Sequence, residues 1–357
     1  KSIQLDSLTE GVNGLEGGFE QEGNRITMTI PATAAKVIGK LDASGDVLDG
    51  TWIQGGAKIP LVLKRIPIEQ TKSPELKRPQ TPKPPFDYGS EDFKVQASTI
   101  DSKYSSDVLL AGTLTAPTGK GPFPTVILTS GSGPQDRDET IFEHRPFLVI
   151  ADYLTKQGFA VIRYDDRGIG QSKGYFIEAT TADLADDLEV VFEWAKKNSK
   201  VDPRKIILAG HSEGGIIGPI VASRNADVAG VVLLAGTGVT GREIVLNQTR
   251  KIAAVAGLPE NVLDLQDKLL RLVITRSKKG LPMDEDFAGA LNGVFADLSE
   301  EERLKYGLND VATKTILTFK SKWMKYFLEF DPATTLSKTH CPVLSLLGGN
   351  DLQVDPQ

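Results

Sequence analysis

Cysteine, histidine and long apolar runs are all scarce in this chain, and each shortage removes a class of function. The single cysteine, Cys341, cannot form an intrachain disulfide, and no Cys/His cluster has the spacing of a zinc site. Core packing is its expected role. No apolar run reaches the roughly 18 residues that a membrane-spanning helix needs, and nothing at the start reads as a signal peptide. Basic runs stay short, and a net charge of -6 with both signs interspersed argues against a nucleic-acid surface. Also missing are a Gly-x-Gly-x-x-Gly at the first strand-helix turn and a Gly-Lys-Ser/Thr phosphate loop, which argues against a dinucleotide or nucleotide site. No cofactor and no metal is expected. The first residue is Lys1 and not methionine. An upstream piece is therefore expected to have been removed, and loss of an export signal would make the protein secreted or periplasmic and not cytoplasmic.

What is present is the composition of an ordinary globular protein, 40% apolar and 25% charged over 357 residues, long enough for two domains. Residues 1–66 read as β structure, with near-alternating runs at 25–30, 36–41, 47–53 and 59–63 separated by turn-formers. A meander is the simplest topology, and an accessory role is expected of it. Residues 67–87 carry six prolines and almost no apolar side chains, so they read as an extended, stiff linker. From 88 to 357 strand-like segments alternate with helical ones: strands at 93–97, 108–115, 124–129, 159–164, 206–210, 228–234 and 343–347, helices at 146–157 and 181–198. Such alternation implies a mostly parallel, doubly wound α/β sheet. Residues 241–331 interrupt it with helical patterns such as Val262, Leu265, Leu269 and Val273, and with a capping box at 299–302. This insertion is expected to form a helical cap.

The chemistry concentrates at residues 206–215, Ile-Ile-Leu-Ala-Gly-His-Ser-Glu-Gly-Gly. A buried strand ends in Gly-x-Ser-x-Gly and a small-residue helix follows at once. Gly210 and Gly214 have a steric reason, because a serine lifted onto so tight a turn leaves no room for side chains two residues away on either side. Ser212 would stand exposed at the carboxyl end of the strand. The free N–H groups of the following helix would face an oxyanion formed there.

Together with the loop at 130–138, Ser-Gly-Ser-Gly-Pro-Gln-Asp-Arg-Asp, the turn Asp-x-Arg-Gly-x-Gly-x-Ser at 165–172 and an acid at Asp351 after the 343–347 strand, this motif resembles the α/β-hydrolase superfamily from about residue 93 onward. Within it, the 130–138 loop, the 323–332 stretch and the β-rich start resemble bacterial carboxylesterases of the serine-aminopeptidase and dienelactone-hydrolase branch. The resemblance implies that Ser212 is the nucleophile and Asp351 the carboxylate that orients the catalytic histidine. A turn-forming role is the plainer alternative for Asp351. The oxyanion hole would use the backbone N–H groups of Glu213 and Ser132, and the glycine loop with Gly131 and Gly133 would contact substrate. A carboxylate beside the oxyanion would oppose it, so the Glu213 side chain is expected to turn away, toward Arg137. Asp166, Arg167 and Gly168 are expected to brace the loops. Trp323, Met324, Tyr326 and Phe327 are candidate lining of an acyl pocket under the cap.

One part of the pattern is missing. The only histidines are His144, His211 and His340, and none fits the general base that a serine nucleophile needs. His211 lies within the elbow, its side chain expected to point away from Ser212. His340 precedes its strand, and His144 precedes the acid. The natural protein is therefore expected to continue past Gln357 and to supply the histidine there. Three functions remain open from the sequence: an esterase acting on a small-molecule ester through an acyl-enzyme, an aminopeptidase-like serine peptidase, and a non-catalytic binding module on a hydrolase scaffold.

Overall fold

The structure, a computed structural model, describes residues 2–7, 12–31, 35–54, 57–67, 78–308 and 311–355. It contains two sheets. The first is an antiparallel meander of β1 (Ser2–Ser7), β2 (Val12–Glu22), β3 (Arg25–Ile30), β4 (Ala35–Leu41), β5 (Val47–Gln54) and β6 (Ala57–Lys64), paired in sequence order. Ile26, Val37 and Leu48 make its small core, with Phe19, Met28, Leu41 and Trp52 packed against them. The sequence patterning anticipates β3 to β6. It misses β2, whose Val-Asn-Gly-Leu-Glu-Gly-Gly run spends too many positions on glycine to alternate visibly.

Residues 68–77 of the expected linker lie outside the described residues. Its remainder, 78–87, is anchored at its start and just past its end. Arg78 donates to the Phe142 carbonyl at 2.9 Å, and the Tyr88 hydroxyl donates to Asp152 at 3.1 Å. Side-chain anchors, which proline content does not reveal, hold this segment.

The second sheet follows from β7 (Gly89–Gln96), β8 (Leu109–Ala116), β9 (Phe123–Thr129), β10 (Ala160–Tyr164), β11 (Val201–His211), β12 (Gly230–Leu234) and β13 (Val343–Leu346). Their spatial order is β13-β12-β11-β9-β10-β8-β7. β7 and β8 pair antiparallel, and the strands from β10 to β13 are parallel. Helices α1 (Pro146–Lys156), α2 (Thr181–Ala195) and α3 (Gly214–Arg224) cover the faces, as alternation along the strands requires. Val126, Leu128, Val161 and Ala209 point to one face and meet Phe147 and Ala151 of α1. Ile127, Ile162, Ile206 and Leu208 point to the other, where Leu188 and Val191 of α2 and Ile216 and Ile217 of α3 complete the main core. β11 begins earlier than its apolar run suggests, with an irregularity in its pairing to β9 between Val201 and Ile206. Val343, Leu344 and Leu346 of β13 are exposed at the sheet's outer edge. Cys341 packs, partly buried, against the main core.

The insertion is helical, as expected: α4 (Gly241–Val255), α5 (Glu260–Lys278), α6 (Glu285–Gly293), α7 (Glu300–Lys305), α8 (Val311–Lys320) and α9 (Lys322–Glu329). Val262, Leu269 and Val273 are fully buried, and the Ser299–Glu302 capping box forms in both directions. Among the described residues, no helix is long and apolar enough to cross a membrane.

Because chain order runs β9, then β10 on one side, then β11 on the other, the carboxyl ends of β9 and β11 flank the crevice where ligands of open α/β sheets bind. A buried ion pair stiffens the turn beside it. Arg167 holds both carboxylate oxygens of Asp187 on α2, at 2.7 and 2.8 Å, and the Asp183 carbonyl at 2.7 Å. Removing one partner leaves a buried charge uncompensated, whereas removing both need not. Asp187→Leu should therefore lower the unfolding free energy by about 3 kcal/mol in urea denaturation, and the Arg167→Leu/Asp187→Leu double variant should recover most of that loss.

Candidate active site

Ser212 lies immediately after β11 with φ 51°, a left-handed conformation that is costly for a side-chain-bearing residue and is held only where neighbours over-determine it. Here they do: Ser212 N–H donates to the Leu234 carbonyl at 2.8 Å, and its own carbonyl receives Gly215 N–H at 2.9 Å as α3 begins. A Cβ on Gly210 would overlap the Gly214 carbonyl, and one on Gly214 would overlap the Thr129 carbonyl. The turn therefore tolerates glycine alone at both places.

A chamber of about 300 Å³ opens at this turn. Gly131 and Ser132 of the loop after β9 line one side, with Ser212, His211 and Glu213 at the base and Trp323, Met324 and Phe327 of α9 above. Gln353 and Val354 close it from the segment after β13. Asp351 stands just before them, and its Oδ1 accepts N–H groups from Gln353 at 2.8 Å and Val354 at 3.0 Å. The turn-forming role is thus realised at one oxygen.

The loop is fixed by carboxylates. Asp166 accepts from Ser130 Oγ and Gln135 N–H, both at 2.9 Å. Asp165 accepts from Arg137 through Nε at 3.0 Å and Nη2 at 2.7 Å, and Arg163 pairs with Asp138. Asp166 here, and Arg167 through its pair with Asp187, make contacts of the bracing kind expected of Asp166, Arg167 and Gly168.

Four expectations change. Gly133, with φ 93°, turns the loop and is not among the chamber residues, which take Gly131 and Ser132 from this loop. Tyr326 stacks on Phe330, with centroids 5.6 Å apart, and is not among the residues lining the chamber. The His211 ring faces the chamber instead of pointing away, because Glu139 captures it: Nδ1 and Glu139 Oε1 are 2.7 Å apart. Glu213 turns not toward Arg137, which Asp165 occupies, but inward. Its Oε1 accepts Thr181 Oγ1 at 2.6 Å and Trp323 Nε1 at 2.7 Å.

Glu139 is the residue that sequence reasoning missed. It is buried, has φ 52°, and also accepts Gly131 N–H at 2.7 Å. The one signal for it was an acid closing the charged run after the glycine loop. Burial disfavours the His211 imidazolium, but the Glu139 carboxylate in contact and Asp351 beyond it outweigh this and hold the His211 pKa above its ordinary value. Burial likewise raises the Glu213 carboxyl, against the opposing pull of Thr181, Trp323 and Ser132. Among the described residues, no partner sits in hydrogen-bonding geometry at its Oε2.

Residues 144–279 match the family described as serine aminopeptidase, S33. Esterase EstD of Thermotoga maritima is 30% identical over 248 residues, covering 69% of this chain and 50% of that protein. The chain therefore spans half the length of that relative. Among solved structures, the Pyrococcus furiosus esterase Pf2001 aligns with a TM-score of 0.45 at 17% identity, over 75% of this chain and 73% of that one. The α/β hydrolase GrgF from a Penicillium species aligns at 0.44 and 18%, over 74% and 82%. The chain has the α/β-hydrolase fold, with an N-terminal antiparallel sheet and a helical insertion.

A histidine whose pKa is raised on folding stabilises the fold below its ordinary pKa of about 6.5, and that contribution disappears as pH rises through the folded value. Wild type should accordingly lose urea stability from pH 6 upward by more than His211→Gln does. Equal pH slopes for the two proteins would contradict the Glu139–His211 contact.

Proposed function

We propose that the protein is a serine hydrolase that cleaves small-molecule carboxylic esters through an acyl-enzyme intermediate. One observation carries this reading: a serine held at φ 51° at the head of a central strand, on the wall of a chamber, with a helix starting behind it and a glycine loop opposite. Strain of this kind persists where a function needs it.

In this mechanism Ser212 Oγ attacks the ester carbonyl carbon while a base takes its proton. The tetrahedral oxyanion is met by the Glu213 and Ser132 N–H groups. Gly131 N–H is already committed to Glu139, which leaves the next amide of that loop for the task. Collapse breaks the carbon–oxygen bond to the alcohol, which leaves with the proton from the base. Water then repeats the sequence to release the acid and restore serine. Asp351 orients the base and stabilises its cation. None of the three histidines of this chain is assigned as that base. His211 is bound through Nδ1 to Glu139, His144 sits in the 141–144 turn, and His340 precedes β13, at the opposite end of the parallel sheet from Ser212.

The likeness to a Thermotoga maritima esterase over 69% of the chain supports an ester as substrate. The match to the serine aminopeptidase family over 144–279 supports a peptidase as the second reading, differing in leaving group alone. Ser212→Ala in the natural full-length protein should lower kcat at least a thousandfold on p-nitrophenyl esters, with the thermal transition unchanged. Retention of a tenth of the activity would remove Ser212 from its role. Faster turnover of aminoacyl amides than of esters would favour the peptidase.

A further inference from the structure

We propose that the Glu213 side chain is a positioning residue that ties Trp323 of the cap to the nucleophile elbow and so sets the acyl length the chamber accepts. This rests on the serine-esterase reading for its acyl ligand, though not for the contact itself. Glu213 is 2% exposed, yet among the described residues its carboxyl pairs with no cation. What it has is two neutral donors converging on one oxygen, Thr181 Oγ1 and Trp323 Nε1. Thr181 is the fully buried first residue of α2, and Trp323 stands at the start of α9, its ring stacked on Phe327 at 5.2 Å. Elbow, body helix and cap therefore meet at a single atom.

That meeting point matters because of where Trp323 lies. It lines the same chamber as Ser212, on the cap side, so its ring limits the room beyond the reacting carbonyl. The other polar tie of this end of α9, Lys322 to Glu178, is between two exposed side chains and contributes little. Burying a carboxyl directly after the nucleophile is costly unless it fixes something. Burial also disfavours its charged form, which eases the conflict with an oxyanion at the backbone N–H of the same residue. A carboxyl accepting two bonds through Oε1 has a close steric match in glutamine, whose Oε1 accepts in the same place.

The test uses the natural full-length protein and two readouts that need no turnover. The first is the Trp323 indole N–H resonance, identified by its loss in Trp323→Phe. The second is the ratio of dissociation constants for butyrate and decanoate, measured by calorimetry. Glu213→Ala should move the indole resonance upfield and shift the ratio toward decanoate by about fivefold, the worth of one net hydrogen bond. Glu213→Gln should restore both. Trp323→Phe, which removes the donor and leaves the buried carboxyl in place, should give the same ratio shift, and this variant decides the matter if Glu213→Ala fails to fold. A glutamine variant that behaves like alanine, or an unchanged ratio in Trp323→Phe, would overturn the proposal. Absence of ester hydrolysis in wild type would instead overturn the esterase reading, with both readouts still reporting on Glu213.

Discussion

The strained backbone at Ser212 is the constraint around which the rest of this molecule is arranged. A left-handed serine between two glycines is unstable by itself. It persists because β11 is clamped by parallel neighbours on both sides, β9 and β12, and because α3 starts at once and receives the turn's carbonyls. The main core supplies the force that holds these elements in place: Ile206 and Leu208 below the turn, Ile216 and Ile217 just past it, all essentially buried. Burial of apolar surface thus maintains a local geometry that no local interaction would maintain.

Charge is used with equal economy around the crevice. Asp165, Asp166, Asp138 and Glu139 each find an arginine, a hydroxyl, a ring nitrogen or a backbone donor, so a dense group of acids braces the glycine loop without leaving an unpaired anion at its rim. Glu213 differs in kind. Its Oε1 faces neutral donors, and burial disfavours its charged form, which suits a residue whose backbone is proposed to face a developing negative charge.

Legibility in the sequence followed the range of the interaction concerned. The elbow was readable because its sterics act within five residues, and so were α1, α2, the cap helices and β9 to β13, whose apolar periodicity reports burial directly. β2 was not, because glycines erased its alternation. The side-chain partners of the site were the least readable. Glu213 to Trp323 spans 110 residues and Glu139 to His211 spans 72, and pairing at such separations depends on how the cap and loops dock. The outward rotation expected of His211 failed for the same reason, since Glu139 reaches it from another loop.

The irregularity in β11 has a geometric consequence. In an unbroken strand Val201 and Ile206, an odd number of positions apart, would face opposite sides of the sheet. Both lie in the same core cluster, so the 202–205 segment, which contains Pro203, reverses the strand's phase before the catalytic-end residues are reached. Adding or deleting one residue there would not lengthen or shorten a loop. It would rotate every side chain from 206 to 210 through half a turn, exchange Leu208 for Ala209 against α2 and α3, and carry the elbow's serine with them to the wrong face.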